Sequence, residues 1–303
     1  LDVEVTIIGK KATYTYDGNE KSVEGYEKFE SDSELYNAEE NVTLVSGAEA
    51  KATGIYAGEY PMGLTDESYE VKENNNFNVT LKVTDGSLKI NQDETGITVT
   101  SGSETWTYDG EKHTNHTYTV TYGNENVEVT LNEASQTYEG TLPNGDKIVI
   151  TPTNDGVQNV KDTDTENSFD VTVISDSYDG TITTVPGTLG IEPLDVTVTI
   201  VGKSESTTYD GQKHSVEGLE TKTSSSELYP VTNVTPKTST TEYAEGTDAG
   251  TYKMGLTDKS YNYTNDNGNF NVTLKVTDGE LAIDPLDVEV TIIGKKATYT
   301  YDG

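Results

Sequence analysis

Leu1-Asp2-Val3-Glu4-Val5-Thr6-Ile7-Ile8-Gly9 alternates apolar and polar side chains. On an extended chain Val3, Val5 and Ile7 fall on one side, and Asp2, Glu4 and Thr6 on the other. That period of two predicts a strand with one buried face, ended by Gly9. A short strand over Ala12–Tyr16 comes next. Asp17-Gly18 then reads as a hairpin turn, because both residues accept positive φ. The phrase Thr15-Tyr16-Asp17-Gly18 recurs. Tyr108-Asp109-Gly110 follows Thr107, Tyr209-Asp210-Gly211 follows Thr208, and Tyr301-Asp302-Gly303 follows Thr300. A lysine comes shortly after each of the first three: Lys21, Lys112 and Lys213. These Tyr-Asp-Gly copies are the candidate structural repeat motif of a tandem array.

Working outward, Leu194–Gly202 matches Leu1–Gly9, and Ser226–Tyr229 matches Ser33–Tyr36. Ala249–Asp258 matches Ala57–Asp66, and Asn269–Gly279 matches Asn76–Gly86. Residues 1–92 and 193–285 therefore read as two copies of one domain, type A. Residues 93–192 read as a divergent cousin, type B. Its Ile97, Val99, Trp106, Tyr108, Asp109, Gly110 and Lys112 align on the opening of the other two, and it then departs into alternating runs at Tyr118–Tyr122, Val127–Leu131, Lys147–Thr151 and Phe169–Ile174. Leu286–Gly303 repeats Leu1–Gly18 without a change. Residues 286–303 thus read as the opening strands of a next type A repeat, ordered by the remainder of a longer array or by strand addition to a neighbouring chain.

Roughly seven strand-like segments per domain, separated by Gly, Asn, Asp and Pro, predict an all-β fold. The expected architecture is tandem small β-sandwich (Ig-like) domains in a linear rod, with β-grasp-like modules as the alternative. Ile191-Glu192-Pro193-Leu194 and Ile283-Asp284-Pro285-Leu286 are short joints stiffened by proline. Ile90-Asn91-Gln92-Asp93 is the joint without one.

Twenty basic against 53 acidic residues leave a net charge of −33. Nucleic acid is excluded as a partner on that count, since binding there rests on Lys and Arg neutralising phosphates. No apolar run is long enough for a membrane helix. With 20 Tyr against 4 Phe and 1 Trp, tyrosine supplies the core rims, ring inward and hydroxyl toward water. Cysteine is absent, so disulfides and thiol catalysis are excluded.

No catalytic set emerges from the three histidines, His113, His116 and His214, and the first domain has Ser22 where the others have His113 and His214. Nothing points to a cofactor. Calcium is the one metal worth weighing: Lys161–Asn167 and Thr264–Asn269 carry oxygen ligands at alternate positions. The second loop lacks the closing Glu, and turn formation accounts for both without a metal. A Lys–Asn crosslink from Lys21, Lys112 or Lys213 would need an acceptor on the last strand. Asn91, Glu192 and Asp284 stand there and differ between domains.

The opening strand, the Tyr-Asp-Gly phrase, Gly250–Thr257, Tyr261–Gly279 and the closing Leu281–Pro285 together resemble the MBG/YDG-type tandem repeats of bacterial cell-surface adhesins. The resemblance implies a non-enzymatic stalk in an extracellular, cell-wall-associated adhesin or surface filament, with neighbouring repeats as its partners. The alternative it implies is a glycan- or protein-binding module acting through Tyr-bearing loops such as those of Tyr26, Tyr36 and Tyr229.

Overall fold

A computed structural model describes residues 1–303 as an all-β chain whose one α-helix is the single turn Ala38–Asn41. Two compact units divide it. The first comprises Leu1–Glu104, Thr114–Gly156 and Thr165–Leu189; the second comprises Thr105–His113, Val157–Asp164 and Gly190–Gly303.

In the first unit, the first repeat copy holds ten strands: β1 (Asp2–Gly9), β2 (Lys11–Thr15), β3 (Lys21–Glu24), β4 (Tyr26–Ser31), β5 (Val42–Leu44), β6 (Lys51–Gly54), β7 (Gly58–Pro61), β8 (Tyr69–Val71), β9 (Asn78–Thr84) and β10 (Ser87–Asn91). The alternation in β1 places Val3, Val5 and Ile7 at 2% exposure or less. β1 is the middle of a three-stranded sheet, antiparallel to β4 (Ile7 opposite Phe29) and parallel to β9 (Val5 opposite Leu81). β10 is the middle of a second sheet, parallel to β2 and antiparallel to β7.

Both parallel partners change sheet at the same place. β1 gives way to β2 just after Gly9, and β9 gives way to β10 across Gly86. A Cβ on Gly9 would lie 2.3 Å from the Gly86 nitrogen, and one on Gly86 would lie 2.6 Å from the Lys10 carbonyl oxygen and the Met62 sulfur. Two backbones touch there, and only glycine permits it. The turn beside them is held by Asp85, whose carboxylate accepts from the Gly63 and Leu64 amides (3.1 and 2.9 Å).

This pairing corrects one expectation. Asp17-Gly18 does not close a hairpin: β2 pairs with β10, and β3 beyond the turn pairs with β6. Asp85-Gly86 likewise carries the chain from one sheet into the other. In each case the partner lies far away in sequence, so the local turn signal named the bend but not the pairing.

The middle segment adds to the same unit. Ile97–Ser101 lies between Tyr118–Tyr122, antiparallel, and Ile182–Val185, parallel. Val129–Asn132, Thr137–Thr141, Lys147–Pro152 and Phe169–Ile174 form an antiparallel sheet in that order. Ile97, Val99, Val120, Leu142, Ile148 and Ile150 form their shared core. Each such side chain contributes about 1.5–3 kcal/mol on burial.

In the second unit, the second type A copy repeats the topology of the first. Leu194–Gly202 runs between Leu219–Ser224 and Phe270–Thr277, and Glu280–Asp284 between Ser204–Thr208 and Gly250–Lys253. The glycine contact returns as well, with a Gly202 Cβ falling 2.4 Å from the Gly279 nitrogen.

Residues 286–303, identical in sequence to Leu1–Gly18, form no strand within this chain. Val288, Val290 and Ile292 are 73%, 75% and 88% exposed, where the matching Val3, Val5 and Ile7 are buried. The sequence is the same and the neighbours are not: no segment of this chain stands to Leu286–Gly303 as β4 and β9 stand to β1. An unpaired strand leaves its backbone amides and its apolar face to water.

Candidate functional site: the Tyr-Asp-Gly corners

Each of the first three corners has the same local chemistry. The aspartate accepts a hydrogen bond from the amide two residues on: Asn19 to Asp17 (3.0 Å), Glu111 to Asp109 (2.8 Å) and Gln212 to Asp210 (2.8 Å). The glycine takes φ of +76°, +85° and +79° at Gly18, Gly110 and Gly211, the left-handed region that favours glycine. The same aspartate then meets a side chain four residues on: Lys21 at 2.6 Å, His113 at 3.0 Å and His214 at 2.8 Å.

Sequence alignment by the lysines missed this equivalence. Lys21 stands opposite Gly54 in its ladder and His214 opposite Gly246 in the corresponding one. Lys21, His113 and His214 are thus the matching positions, and Ser22 is not the counterpart of the histidines. Their partner is a turn aspartate. The Lys21 ammonium sits on Asp17 and the Lys213 ammonium on Glu245 (2.7 Å), each in an ordinary ion pair. Each Asp is held below the usual carboxylate range: Asp17 by Lys21 first, Asp109 and Asp210 by the backbone amide first and the histidine second.

The corner tyrosine continues the ladder. Its amide donates to the carbonyl at the end of the closing strand: Tyr16 to Asn91 (2.9 Å), Tyr108 to Glu192 (2.8 Å) and Tyr209 to Asp284 (2.8 Å). What covers its ring differs from corner to corner.

In the first unit the Tyr16 ring is 6% exposed, packed with Val23, Ala52, Leu88 and Ile90. Its hydroxyl donates to Asp146 Oδ1 (2.9 Å) in the middle segment. Asn144 bridges onward, donating to Asp146 Oδ2 (3.1 Å) and to Asp93 Oδ2 (2.8 Å). Asp93, 2% exposed, also accepts from Tyr122 Oη and from the Thr95 amide (2.9 Å). Gly18 meets the same loop, since a Cβ there would fall 2.1 Å from the Asn144 carbonyl oxygen. The Ala57 amide donates to Ser177 Oγ (2.9 Å). A cleft of about 790 Å³ opens beside the contact, lined by Tyr56, Ile174 and Asp176 among others.

In the second unit Tyr108 stands edge-on to Phe270 (5.2 Å between centroids, 80°), and Phe270 stands edge-on to the fully buried Tyr229 (5.0 Å). The Val160 amide donates to Asn269 Oδ1 (2.9 Å), and the Asn269 amide group returns to Asn159 Oδ1 (2.9 Å). Gly110 faces Leu228, 3.5 Å from where its Cβ would be. Tyr209, by contrast, is 37% exposed, and Tyr301 is 91% exposed.

The other sequence candidates resolve differently. Tyr36 (4% exposed) and Tyr229 (0%) are core residues and present no ring to a glycan or a partner, which corrects the loop reading; Tyr26 packs on Phe29 and Tyr69. In the calcium candidates, Asp162 accepts from the Asn159 amide, and Asn267 turns the chain at φ +59°. Those oxygens and backbones are engaged in turn formation. The buried Asp93–Asn144–Asp146 set escaped sequence reading because its members sit in loops with no periodicity; Asn144-Gly145-Asp146 gave only a turn signal.

Titration of the first-unit network has a defined direction. Burial first and Asp146 second push the Tyr16 hydroxyl up to about 12, and burial with Asp93 does the same for Tyr122. Above the ordinary tyrosine range near pH 10 the unfolded chain releases these protons while the folded chain keeps them. Their contribution is therefore complete below about pH 10 and is lost as pH rises toward 12. Burial raises the Asp93 carboxyl, but bonds from Thr95, Tyr122 and Asn144 outweigh it and hold it below its usual range. That contribution is lost in acid, below about pH 4. Melting temperature measured against pH is expected to fall at both ends, and Tyr16→Phe to flatten the alkaline limb. An unchanged alkaline limb would contradict the Tyr16–Asp146 bond.

No family model matches the chain, and no curated protein matches it. Solved structures resembling it include the N-terminal four Ig domains of Dscam1 isoform 9.44 (with zinc), at 9% identity and TM-score 0.15, covering 93% of this chain and 73% of that one. The Bacillus anthracis TIE protein matches at 8% identity and TM-score 0.19, covering 79% and 49%. Sidekick-1 immunoglobulin domains 1-5 match at 10% identity and TM-score 0.15, covering 91% and 58%. The chain thus spans about half the length of the latter two.

Proposed function

We propose that the chain is a structural stalk: three β domains, residues 1–92, 93–192 and 193–285, joined through their Tyr-Asp-Gly corners, in an extracellular bacterial adhesin or surface filament. The single observation that carries this reading is the use of the corner tyrosine. Tyr16 and Tyr108 each meet residues that sequence repetition assigns to the following domain, one through Asp146 and the other through Phe270. A flexible tether would have no need of a buried network at its joint. The resemblance to MBG/YDG-type repeats supports the cell-surface setting, and the strongly acidic composition suits a chain kept apart from its neighbours by charge. No set of catalytic groups competes with a structural role.

Small-angle scattering tests it. Wild type is expected to scatter as an extended particle of fixed shape, and Tyr16→Ala or Tyr108→Ala to give the profile of hinged segments. A compact globule, or variants indistinguishable from wild type, would overturn the stalk.

A further inference from the structure

We propose that β9 and its counterpart Phe270–Thr277 are lateral docking edges, and that the occupant of each is the same strand of a second copy of this chain, paired antiparallel about Leu81 or Leu274. This goes beyond the stalk reading and does not rest on it.

Each strand lies at the rim of a three-stranded sheet, with β1 or Leu194–Gly202 on one side and no strand on the other. The Asn78 amide donates to the Leu1 carbonyl (2.8 Å), and the Leu194 amide to the Asn269 carbonyl (2.9 Å). In a parallel ladder a residue turns its amide and carbonyl to one side, and its neighbours turn theirs to the other. Asn78, Thr80, Lys82 and Thr84 therefore face β1, which leaves the backbone of Val79, Leu81 and Val83 at the rim. Val272, Leu274 and Val276 stand the same way in the second copy. The side chains of all six pack against the cores of their own copies yet stay only half-buried. The middle segment follows the first copy and precedes the second, and the edge has no partner strand in either.

Three observations point to a second copy as the occupant. Asn78–Thr84 recurs unchanged as Asn271–Thr277, and in a chain with 53 acidic residues this stretch carries none, only one lysine. Two copies thus approach there against the least repulsion. The stretch also complements itself. Turned antiparallel about Leu81, Val79 stands opposite Val83 and Leu81 opposite Leu81, so every backbone group left at the rim gains a hydrogen-bonding partner. Opposite residues share a face, so the apolar side chains stay on the core side in both copies. Lys82, whose ammonium lies 3.8 Å from Glu4 of its own sheet, falls opposite Thr80 and meets no like charge. Lastly, the corresponding strand of the middle segment is blunted: Ile182–Val185 is four residues long and ends at Pro186, which has no amide to offer. The contact is two-fold and joins two three-stranded sheets into one of six.

Sedimentation velocity of the purified full chain in about 0.15 M NaCl, where the screening length of about 8 Å still lets facing side chains feel each other, is expected to show a concentration-dependent rise in mean sedimentation coefficient. Thr80 and Thr273 are exposed, so changing both leaves the cores untouched. Thr80→Lys with Thr273→Lys sets lysine opposite lysine twice in each contact and is expected to weaken association about three- to tenfold. Thr80→Glu with Thr273→Glu sets glutamate opposite lysine and is expected to strengthen it by a similar factor. Net charge alone gives the reverse order, since the lysine variant brings −33 closer to zero and the glutamate variant takes it further away. A pure chain that stays monomeric to millimolar concentration, as it would if the occupant were a strand of another protein, would overturn the proposal. So would variants that associate like wild type, or a lysine variant that associates more tightly than the glutamate one. Failure of the scattering test leaves this inference standing, because each edge belongs to one type A copy by itself.

Discussion

Tyr16→Ala is expected to destabilise the first unit by about 3–5 kcal/mol, the range for truncating a fully packed aromatic ring. Two losses add. The ring vacates a pocket walled by Val23, Ala52, Leu88 and Ile90. Asp146, 9% exposed, loses its hydroxyl donor and keeps only the Asn144 amide group. Tyr16→Phe keeps the ring and isolates the second loss, about 1–3 kcal/mol for a buried acceptor left short of a donor. The built-in control is Tyr301→Ala. It stands in the same tetrapeptide, but its side chain is 91% exposed, and the change is expected to stay within about 0.5 kcal/mol. Calorimetric scans read the effect as a shift of one transition, since two units need not melt together. Superimposable scans for Tyr16→Ala and Tyr301→Ala would show that the corner ring anchors nothing.

Gly202→Ala in the second unit, and Gly9→Ala in the first, are each expected to cost about 3 kcal/mol. The added methyl carbon would stand 2.4 Å from the Gly279 nitrogen in one case and 2.3 Å from the Gly86 nitrogen in the other. Those are backbone atoms and cannot rotate away. Relief requires the first strand and its parallel partner to separate where both leave one sheet for the other. Gly294→Ala meets nothing within 4 Å and serves as the neutral comparison. Denaturant unfolding followed by circular dichroism reports the difference, and equal midpoints for Gly202→Ala and Gly294→Ala would refute the close approach. Glycine ends the strand here, as its position after Ile8 suggests, and is also the place where two paired strands leave one sheet for the other together.

What the sequence determined by itself is everything set within a few residues or by plain repetition. The alternation in Leu1–Ile8 specifies which side chains turn inward, because a strand repeats every two residues whatever it pairs with. Asp17-Gly18 specifies a bend with a positive φ at glycine, since the aspartate carboxylate and the amide two residues on make it locally. The matching of Leu194–Gly202 to Leu1–Gly9 foretold the shared topology of the two copies. What only the tertiary structure decided is who meets whom. β1 lies parallel to β9, and Lys21, not Ser22, answers His113 and His214, because ladders far apart in sequence set the register. Asp93, Asn144 and Asp146 become one buried network only when two loops far apart in sequence converge. Leu286–Gly303 states the division most plainly. Residue for residue it is Leu1–Gly18, with the same pattern and the same propensities, yet one is the centre of a sheet and the other forms no strand. A strand's hydrogen-bonding partners belong to other parts of the chain, and without them the same residues have nothing to pair with.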